Sequence, residues 1–325
     1  MVIAHGDLDG LASAAALIAA IGRLVDEADV DLEFSQPYSL HKTLARVLAR
    51  PPDMLFLVDL GLDEATWLTV RGILRELIGK GCRVVWIDHH VHTLEHSLEL
   101  ALMGVCLLHS KDGCASTIAR RAFAKHTDDP AFFERLTKLG EIADGVVEGE
   151  KEMKLLAERL VAALSAPSSK DKFKRRLVKT WIRERRLIDD EVAVRAEEYE
   201  RALLDKMSEA KSRIVLEVDK GLLLDARDSK LGGFAGHIAS KLVQETGKVV
   251  VVVFAPNTRE VIATCRVPRN IDFNAVEKLT PIAARLGGGG GGLEKAAAVR
   301  VPRELGDRLV EELSSLLRKE LDPHR

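Results

Sequence analysis

Amide side chains are scarce in this 325-residue sequence, and all of them can be named: Gln36, Gln244, Asn257, Asn270 and Asn274. Charged residues, in contrast, make up 30% of the chain. This pattern is typical of proteins from hot environments, because amides deamidate on heating and ion pairs become less costly there. The composition therefore predicts a thermophilic source, but it does not identify a reaction.

The sequence also lacks three other features: cysteines at the spacing of a zinc site, long apolar runs, and an excess of positive charge. The four cysteines are scattered, at Cys82, Cys106, Cys114 and Cys265, which favours reduced thiols and a cytoplasmic location. No apolar run reaches the ~20 residues of a membrane span. The short run from Leu11 to Ile21 lacks a basic start, so it predicts a buried helix rather than a secretion signal. With a net charge of −2, any binding of nucleic acid must use a local basic patch.

The stretch from Val84 to His90 is the first candidate for chemistry. Its apolar, β-branched part predicts a buried strand, and Asp88, His89 and His90 follow directly. In an open parallel α/β sheet, ligands bind at the carboxyl ends of the strands. Oxygen and imidazole ligands suit Mn²⁺ or Zn²⁺ better than Ca²⁺. Taken alone, the triplet fits a capping aspartate and two surface histidines equally well, so the interpretation depends on the other strand ends.

A second group of ligand-type residues follows the short strand predicted at residues 2–4. Here His5, Asp7 and Asp9 alternate along the chain and can converge on one cation or two. The alternative is an Asp-rich turn that caps the next helix. A capping turn needs one aspartate and no histidine, which favours the metal-binding interpretation.

Two further aspartates occur at element ends. Asp59 closes an apolar strand predicted at residues 54–58, where it can bridge two metals or cap the following helix. Asp63 already supplies an acidic start for that helix, which leaves Asp59 free. Asp144 lies at the carboxyl end of a predicted helix, where the helix dipole disfavours an acid. That conflict indicates a compensating cation near Asp144.

Three other stretches leave alternatives open. Ser, Thr and Lys residues of the loop from His109 to Thr117 can hold a phosphate at a helix amino end or only cap that helix. Basic residues crowd between Lys170 and Arg186, where they can track a nucleic-acid backbone, or form a solvated helix face above a buried stripe. Six glycines, Gly287 to Gly292, permit close approach to a phosphate or form a flexible linker, and the apolar elements on both sides argue against the linker.

The amino-terminal motifs, in their order and spacing, resemble those of the DHH phosphoesterase superfamily: His5-x-Asp7-x-Asp9-Gly10, Asp59, Asp88-His89-His90 and Asp144. That superfamily includes RecJ-type exonucleases, nanoRNases that also dephosphorylate adenosine bisphosphate, cyclic-dinucleotide phosphodiesterases and family II pyrophosphatases. Its first motif is spaced differently in the pyrophosphatases, so these are the weaker match.

The resemblance implies a two-metal site, with Mn²⁺ as the expected ion and Mg²⁺ as the alternative. The implied ligands are His5 and Asp7 on the first metal, Asp9, His89 and Asp144 on the second, and Asp59 bridging the two. It further implies that His90 contacts substrate phosphate or helps to protonate the leaving group, and that Asp88 orients a histidine. Two divalent ions ~3.5–4 Å apart can activate a shared water and hold the attacking and leaving oxygens, while four aspartates balance most of their charge.

The glycine run resembles the DHH-associated motif Gly-Gly-Gly-His-x-x-Ala-Ala-Gly, with two departures. Leu293 stands where the family has histidine, and Ala298 stands where it has the last glycine. The histidine normally helps to bind substrate, so its replacement affects substrate identity and leaves the metal site intact. The substrate-binding residues implied by the resemblance are Arg266, Gly289, Gly290, Gly291 and Gly292.

These inferences predict an α/β protein with an active-site cleft between two domains. Residues 1–150 form a parallel-sheet catalytic, metal-binding DHH domain, residues 151–211 a helical connector, and residues 212–325 a smaller α/β DHH-associated, substrate-binding domain. The expected function is a manganese-dependent phosphodiesterase acting on nucleic acid, as an exonuclease on single-stranded DNA or RNA or on short oligonucleotides. The alternatives are hydrolysis of a small nucleotide, such as a cyclic dinucleotide or adenosine bisphosphate, and a non-catalytic binding protein of a replication or repair complex. The protein could form a homodimer or bind a replication or repair partner. A membrane partner is not expected.

Overall fold

The computed structural model describes residues 1–22 and 30–322. The chain forms two compact units, Met1–Tyr199 and Glu200–Arg325. The first contains a parallel sheet and the second a mixed sheet, so the α/β fold class predicted from the sequence is confirmed. No helix among the described residues is long and apolar enough to span a membrane.

In the described part of the first unit, the sheet consists of β1 (Val2–His5), β2 (Leu32–Ser35), β3 (Met54–Val58), β4 (Arg83–Asp88) and β5 (Cys106–His109). All neighbouring pairs are parallel, in the order β2-β1-β3-β4-β5. The chain therefore places β2 on one side of β1, and β3, β4 and β5 in succession on the other side, so the strand order reverses between β1 and β3. Ligand sites of such sheets lie at this reversal, beyond the carboxyl ends of the strands.

Helices cover the sheet and extend the first unit. They are α1 (Leu8–Ile21), α2 (Leu40–Ala49), α3 (Trp67–Gly79), α4 (Val91–Glu95), α5 (Ser97–Met103), α6 (Ala115–Ala122), α7 (Pro130–Ala143), α8 (Lys151–Ser165), α9 (Asp171–Glu184) and α10 (Asp190–Lys211). The boundary between the two units falls within α10.

Helix α1 is the predicted buried helix of small apolar residues. Its residues from Leu8 to Ala19 are all buried, because α1 packs against α6, α7 and α9. A helix that is apolar on every side requires such cover. Its start is fixed by Asp7, whose side chain accepts a hydrogen bond from the backbone N–H of Gly10.

The second unit contains β6 (Ile214–Val218), β7 (Gly221–Ala226), α11 (Ala235–Thr246), β8 (Val249–Phe254), β9 (Glu260–Arg266), α12 (Ala275–Arg285), β10 (Gly289–Leu293), β11 (Ala296–Pro302) and α13 (Gly306–Leu321). The strand order is β10-β11-β9-β8-β7-β6, and β7 with β8 is the parallel pair among the described ones. The core includes Val251, Val253 and Ala263 of the sheet and Leu309 and Leu313 of α13.

The glycine run forms a strand rather than an open loop or a linker. β10 pairs antiparallel with β11, from Gly289 opposite Arg300 to Leu293 opposite Ala296. A Cβ on Gly288 would lie 3.0 Å from Val301 Cα, and one on Gly290 would lie 2.7 Å from Val299 Cα. These two glycines are therefore needed for close approach to the neighbouring strand.

The basic segment has the buried stripe that was one of its two interpretations. Phe173, Leu177 and Trp181 of α9 are at most 3% exposed. Several of its charges are also neutralised locally: Arg176 forms an ion pair with Asp189, for example. The structure thus favours a helix packed on the core of the first unit.

Candidate metal centre

Three neighbouring strands carry the motif residues to one edge of the parallel sheet. His5 ends β1, Asp59 directly follows β3, and Asp88 ends β4 with His89 and His90 after it. β1 and β3 are adjacent in the sheet, and so are β3 and β4. Parallel pairing therefore brings together side chains that are up to 85 positions apart in the sequence, from His5 to His90.

Asp59 lies between two groups of potential ligands. Its Oδ2 is 3.6 Å from Nδ1 of His5, and its Oδ1 is 3.4 Å from Nε2 of His89. Ligand atoms of His5, Asp7 and Asp59 lie within 4.8 Å of one another, and so do those of Asp59, His89 and His90. Asp59 is thus common to both groups, which is the arrangement that a bridging carboxylate requires.

The backbone at Asp59 is unusual, with a φ of 57°. Left-handed backbone is uncommon for residues other than glycine, and aspartate is among those that tolerate it. Two hydrogen bonds hold the turn: Asp59 N–H donates to the Ile87 carbonyl at 2.8 Å, and Trp86 Nε1 donates to the Leu60 carbonyl at 2.9 Å. The fully buried Trp86 therefore fixes the residue that follows Asp59.

Asp9 occupies the amino end of α6. Its carboxylate accepts hydrogen bonds from the backbone N–H groups of Ala115, at 3.0 Å, and Ser116, at 2.6 Å. Cys114 and Thr117 complete the cap of this helix. The helix end that the sequence offered as a phosphate site thus holds a carboxylate of the chain itself. The capping alternative is the one that the structure supports.

Asp144 is placed near Asp9 by the end of α7, whose C-cap it forms. Ligand atoms of Asp9, Cys114 and Asp144 lie within 4.8 Å of one another. The Cys114 thiol was not expected there, and burial, followed by the charges of Asp9 and Asp144, raises its pKa. Cys114 is thus a further residue of ligand type beside these two carboxylates.

A hydrogen bond to Gln36 fixes the orientation of His5. Nε2 of His5 donates to Oε1 of Gln36 at 3.1 Å, while Nδ1 lies 2.9 Å from Oδ2 of Asp7. Burial opposes protonation of His5, but Asp7 and Asp59 raise its pKa well above the usual value, so Nδ1 also donates to the carboxylates. With one proton kept on Nε2 by Gln36, Nδ1 is the nitrogen that could bind a metal after losing its proton. Ligand histidines usually have such an outer partner, which sets the tautomer. Gln36 follows β2 and carries no sequence signal for this role.

Asp88 orients His90 rather than joining the ligand groups. It is fully buried, and its Oδ1 accepts a 2.8 Å hydrogen bond from Nδ1 of His90. Burial opposes protonation of His90, but the bond to Asp88 and its charge outweigh this and raise the His90 pKa. Gly61 provides the space for the ring, because a Cβ there would lie 2.8 Å from His90 Cγ.

The carboxylates of this group repel one another. Burial, together with the charges of Asp59, Asp7 and Asp144, raises the pKa of Asp9 well above its usual range. Burial and neighbouring carboxylates also raise the pKa of Asp144 to about 6, although His89 opposes this. Burial opposes protonation of His89, but its bond to Asp59 and the nearby acids raise its pKa to about 9.

This donor set fits divalent cations. Among residues 1–22 and 30–322, no Lys or Arg forms an ion pair with Asp7, Asp9, Asp59 or Asp144. Four carboxylates gathered this closely repel one another, and metal ions can remove that repulsion. Oxygen donors with imidazole suit Mn²⁺, and Mg²⁺ is suited by the oxygens alone.

The predicted substrate-binding residues all lie in the second unit. Arg266 of β9 is opposite Ala296 of β11, which is opposite Leu293 of β10, so the three side chains share one face of the sheet. Arg266 donates to the Thr264 hydroxyl at 3.2 Å and to the Cys265 carbonyl at 2.9 Å. These acceptors are neutral, and burial lowers the Arg266 pKa. A Cβ on Gly289 would meet no atom within 4 Å, and Leu293 is 59% exposed.

The fold and the acidic edge of the parallel sheet define an α/β protein with a candidate dinuclear metal centre. The model of the DHH family N-terminal domain matches residues 1–149, and that of the DHHA1 domain matches residues 222–319. The chain therefore belongs to the DHH phosphoesterase superfamily, as its motifs predicted. No curated protein sequence matches the chain.

Several solved structures share the fold. RecJ from Thermus thermophilus in complex with Mn²⁺ is 19% identical, with a TM-score of 0.63, and the match covers 100% of this chain and 52% of RecJ. A pGpG-specific phosphodiesterase from Vibrio cholerae is 12% identical, with a TM-score of 0.58 and coverage of 98% and 99%. CDC45 from Entamoeba histolytica is 8% identical, with a TM-score of 0.57 and coverage of 97% and 94%. This chain thus spans about half the length of RecJ and nearly all of the other two.

Proposed function

We propose that this protein is a divalent-metal-dependent phosphodiesterase that hydrolyses single-stranded nucleic acid or short oligonucleotides, with Mn²⁺ as its ion and Mg²⁺ as the alternative. The observation that carries this proposal is the gathering of ligand-type side chains from separate elements around one sheet edge, with Asp59 shared by two of their groups. We assign His5 and Asp7 to one metal, Asp9, His89 and Asp144 to the other, and Asp59 to both.

Two bound divalent ions would supply an activated water and a clamp for the attacking and leaving oxygens. The chain contributes the surroundings of that reaction. Asp88 holds Nδ1 of His90, which leaves Nε2 to donate a proton to the leaving oxygen. Gln36 and the amino end of α6 hold His5 and Asp9 in their orientations. Arg266 and Gly289 to Gly292 are the proposed contacts to the rest of the substrate.

A variant of Asp59 tests the proposal. Asp59→Asn keeps a side chain that tolerates left-handed backbone but removes one charge between the two ligand groups. With Mn²⁺ and an end-labelled single strand, the native protein is expected to release short products, and the variant to be at least about 100-fold slower. Asp53→Asn, an exposed aspartate just before β3, is the matched control and is expected to retain native activity.

The same samples give a readout that does not depend on activity. Mn²⁺ at about 100 times its Kd is expected to stabilise the native protein by about 2.7 kcal/mol, seen as a rise in Tm. Asp59→Asn is expected to lose most of that rise. Unchanged hydrolysis in Asp59→Asn, or no Mn²⁺-dependent product from the native protein, would contradict the proposal.

Hydrolysis of a small nucleotide is the second candidate. Its support is the fold shared with the pGpG-specific phosphodiesterase, which matches 98% of this chain with a TM-score of 0.58. The ratio of kcat/KM on a 5′-phosphorylated dinucleotide to that on a 20-nucleotide strand separates the two. A ratio far above one favours the small-nucleotide activity, and products shortened stepwise from the long strand favour the exonuclease.

A non-catalytic role in a replication or repair complex is the third candidate, suggested by the fold shared with CDC45. It predicts Mn²⁺ binding at most, and no hydrolysis of either substrate.

The low amide content further leads us to expect activity at high temperature, and the scattered cysteines favour a cytoplasmic location. The assays should therefore extend to about 70 °C.

A further inference from the structure

Lys174 of α9 reaches the loop that carries His5 and Asp7. Its Nζ occupies the place where a Cβ on Gly6 would stand, and its Cε and Cδ are 3.6 and 3.7 Å from that place. The ammonium group also lies 5.9 Å from the ring centroid of Phe34 in β2. Gly6 is thus the residue whose missing side chain admits the lysine.

The helix that carries Lys174 is firmly positioned. Phe173 and Leu177 of α9 are buried in the first unit, and Arg175 Nε donates to the Leu32 carbonyl of β2 at 2.8 Å. The backbone of α9 at Lys174 is therefore held in place by the contacts of the residues around it. A charged group held in this way beside a functional motif is preorganised for a ligand.

Lys174, unlike the arginines beside it in α9, has no anionic partner in hydrogen-bond contact. Arg176 forms ion pairs with Asp189 and with Glu191, the latter at 2.7 Å. Among the residues that the structure describes, no carboxylate forms an ion pair with Lys174. Partial burial lowers its pKa, and the charges of Asp171 and Asp7 oppose that effect from a distance. A partly buried ammonium group without an ion-pair partner would be stabilised by an anion that binds within hydrogen-bond distance.

Bound metal ions would change which anion Lys174 meets. Two divalent ions would nearly cancel the charge of the four aspartates, so the attraction between Asp7 and the ammonium group would be largely removed. The anion that then arrives at the site is the phosphate of the substrate. A lysine contributes a compact positive charge with three donors, which suits a non-bridging phosphate oxygen.

We propose that Lys174 binds a non-bridging phosphate oxygen of the substrate on the His5–Asp7 side of the metal centre, and that it thereby sets substrate affinity. This inference rests on the proposed phosphodiesterase function. It assigns to the first unit a phosphate contact of its own, in addition to those proposed for the second unit.

The main test removes the charge with Lys174→Met and measures hydrolysis of a 5′-phosphorylated dinucleotide at saturating Mn²⁺. KM is expected to rise about tenfold or more, because a charge-assisted hydrogen bond is lost, while kcat changes less than threefold. Lys138→Met, at an exposed position of α7, removes the same charge and is expected to leave both constants within twofold.

Binding measurements separate a phosphate contact from a simple counter-ion for Asp7. Calorimetric titration with Mn²⁺ alone is expected to give the same Kd for Lys174→Met and the native protein, within twofold. Titration of the Mn²⁺-loaded proteins with a non-hydrolysable phosphorothioate dinucleotide is expected to give a Kd about tenfold higher for the variant. A changed Mn²⁺ affinity with unchanged dinucleotide binding would overturn the inference, and so would an unchanged KM.

Gly6→Ala is the second variant and retains the lysine. Its added Cβ would displace Nζ, which is the far end of a flexible side chain, so the fold is expected to persist. Dinucleotide binding is expected to weaken as in Lys174→Met, with unchanged Mn²⁺ affinity as evidence that His5 and Asp7 are intact. Should the native protein show no hydrolysis, the proposed function fails, but the dinucleotide titrations still decide whether Lys174 binds phosphate.

Discussion

The carboxylate of Asp9 accepts a 2.6 Å hydrogen bond from the backbone N–H of Ser116, which lies 107 positions further along the chain. The Ser116 hydroxyl returns a 3.2 Å hydrogen bond to the Asp9 carbonyl. This pair joins the start of α1 to the start of α6. It also determines which way a proposed metal ligand faces, so packing near Ser116 should affect the metal centre.

Gly140 of α7 provides the first prediction, because a Cβ there would meet the Ser116 hydroxyl and would lie 2.9 Å from Ser116 Cβ and 3.4 Å from Asp9 Cα. Gly140→Ala is expected to lower the free energy of unfolding by about 1–3 kcal/mol through overpacking. It is also expected to weaken Mn²⁺ binding, because Asp9 must shift. Urea unfolding and calorimetry measure the two effects.

Gly72→Ala is the matched control for that substitution. Gly72 lies inside α3, and a Cβ there would meet no atom within 4 Å. The change is expected to raise the free energy of unfolding by up to about 1 kcal/mol, since alanine favours a helix interior over glycine. Equal stability of Gly140→Ala and the native protein would show that the contact among α1, α6 and α7 is looser than described.

The side chain of Gln36 is the second subject for a prediction. Gln36→Met removes the acceptor for Nε2 of His5 while preserving much of the side-chain volume. Mn²⁺ affinity is expected to fall about 10–100-fold, as is typical when the outer partner of a ligand histidine is lost. Gln36→Glu keeps an acceptor and should retain most of the affinity.

Gln244, an exposed residue of α11, is the control for the Gln36 variants. Gln244→Met is expected to leave Mn²⁺ binding unchanged within twofold. If calorimetry gives the same Kd for Gln36→Met as for the native protein, the tautomer of His5 is set by the carboxylates alone.

The sequence was sufficient to predict which side chains meet at this edge of the parallel sheet, because each is marked locally. Asp59 and Asp88 end apolar strands, and Asp7 precedes a helix that it caps. Parallel strands then bring their carboxyl ends to one edge, a rule that needs no knowledge of side-chain contacts. The fold class followed from the same alternation of strands and helices.

The residues that support the centre could not be found in this way. Gln36, Gly61 and Ser116 act through partners that are 29 to 107 positions away in sequence. Their roles arise only from packing, and none has a distinctive neighbour in the chain. The amino end of α6 shows the same difficulty, because its serine and threonine indicate an anion site without revealing that Asp9 fills it.

The last prediction concerns pH. His89, whose pKa is about 9 in the metal-free protein, is protonated at neutral pH but must be neutral to bind a metal. The proton must therefore leave when Mn²⁺ binds. The same holds for His5, whose pKa is raised well above its usual value by Asp7 and Asp59 although burial opposes this. Affinity should therefore rise with pH between 7 and 9, by up to about tenfold per pH unit for each proton released. Below about pH 6, protonation of Asp144 should weaken binding further. Calorimetry in buffers of different ionisation heat measures both the Kd and the protons released.

Stability of the metal-free protein should change in the opposite sense. The pKa of His89 is raised from 6.5 to about 9 by folding, so its contribution is fully present below pH 6.5 and is lost as the pH rises through 9. The Tm of the metal-free protein is thus expected to fall from pH 7 to 9, while the rise in Tm on adding Mn²⁺ grows. A Kd for Mn²⁺ that stays constant over this range would mean that neither His89 nor His5 binds the metal, because each must lose a proton to do so.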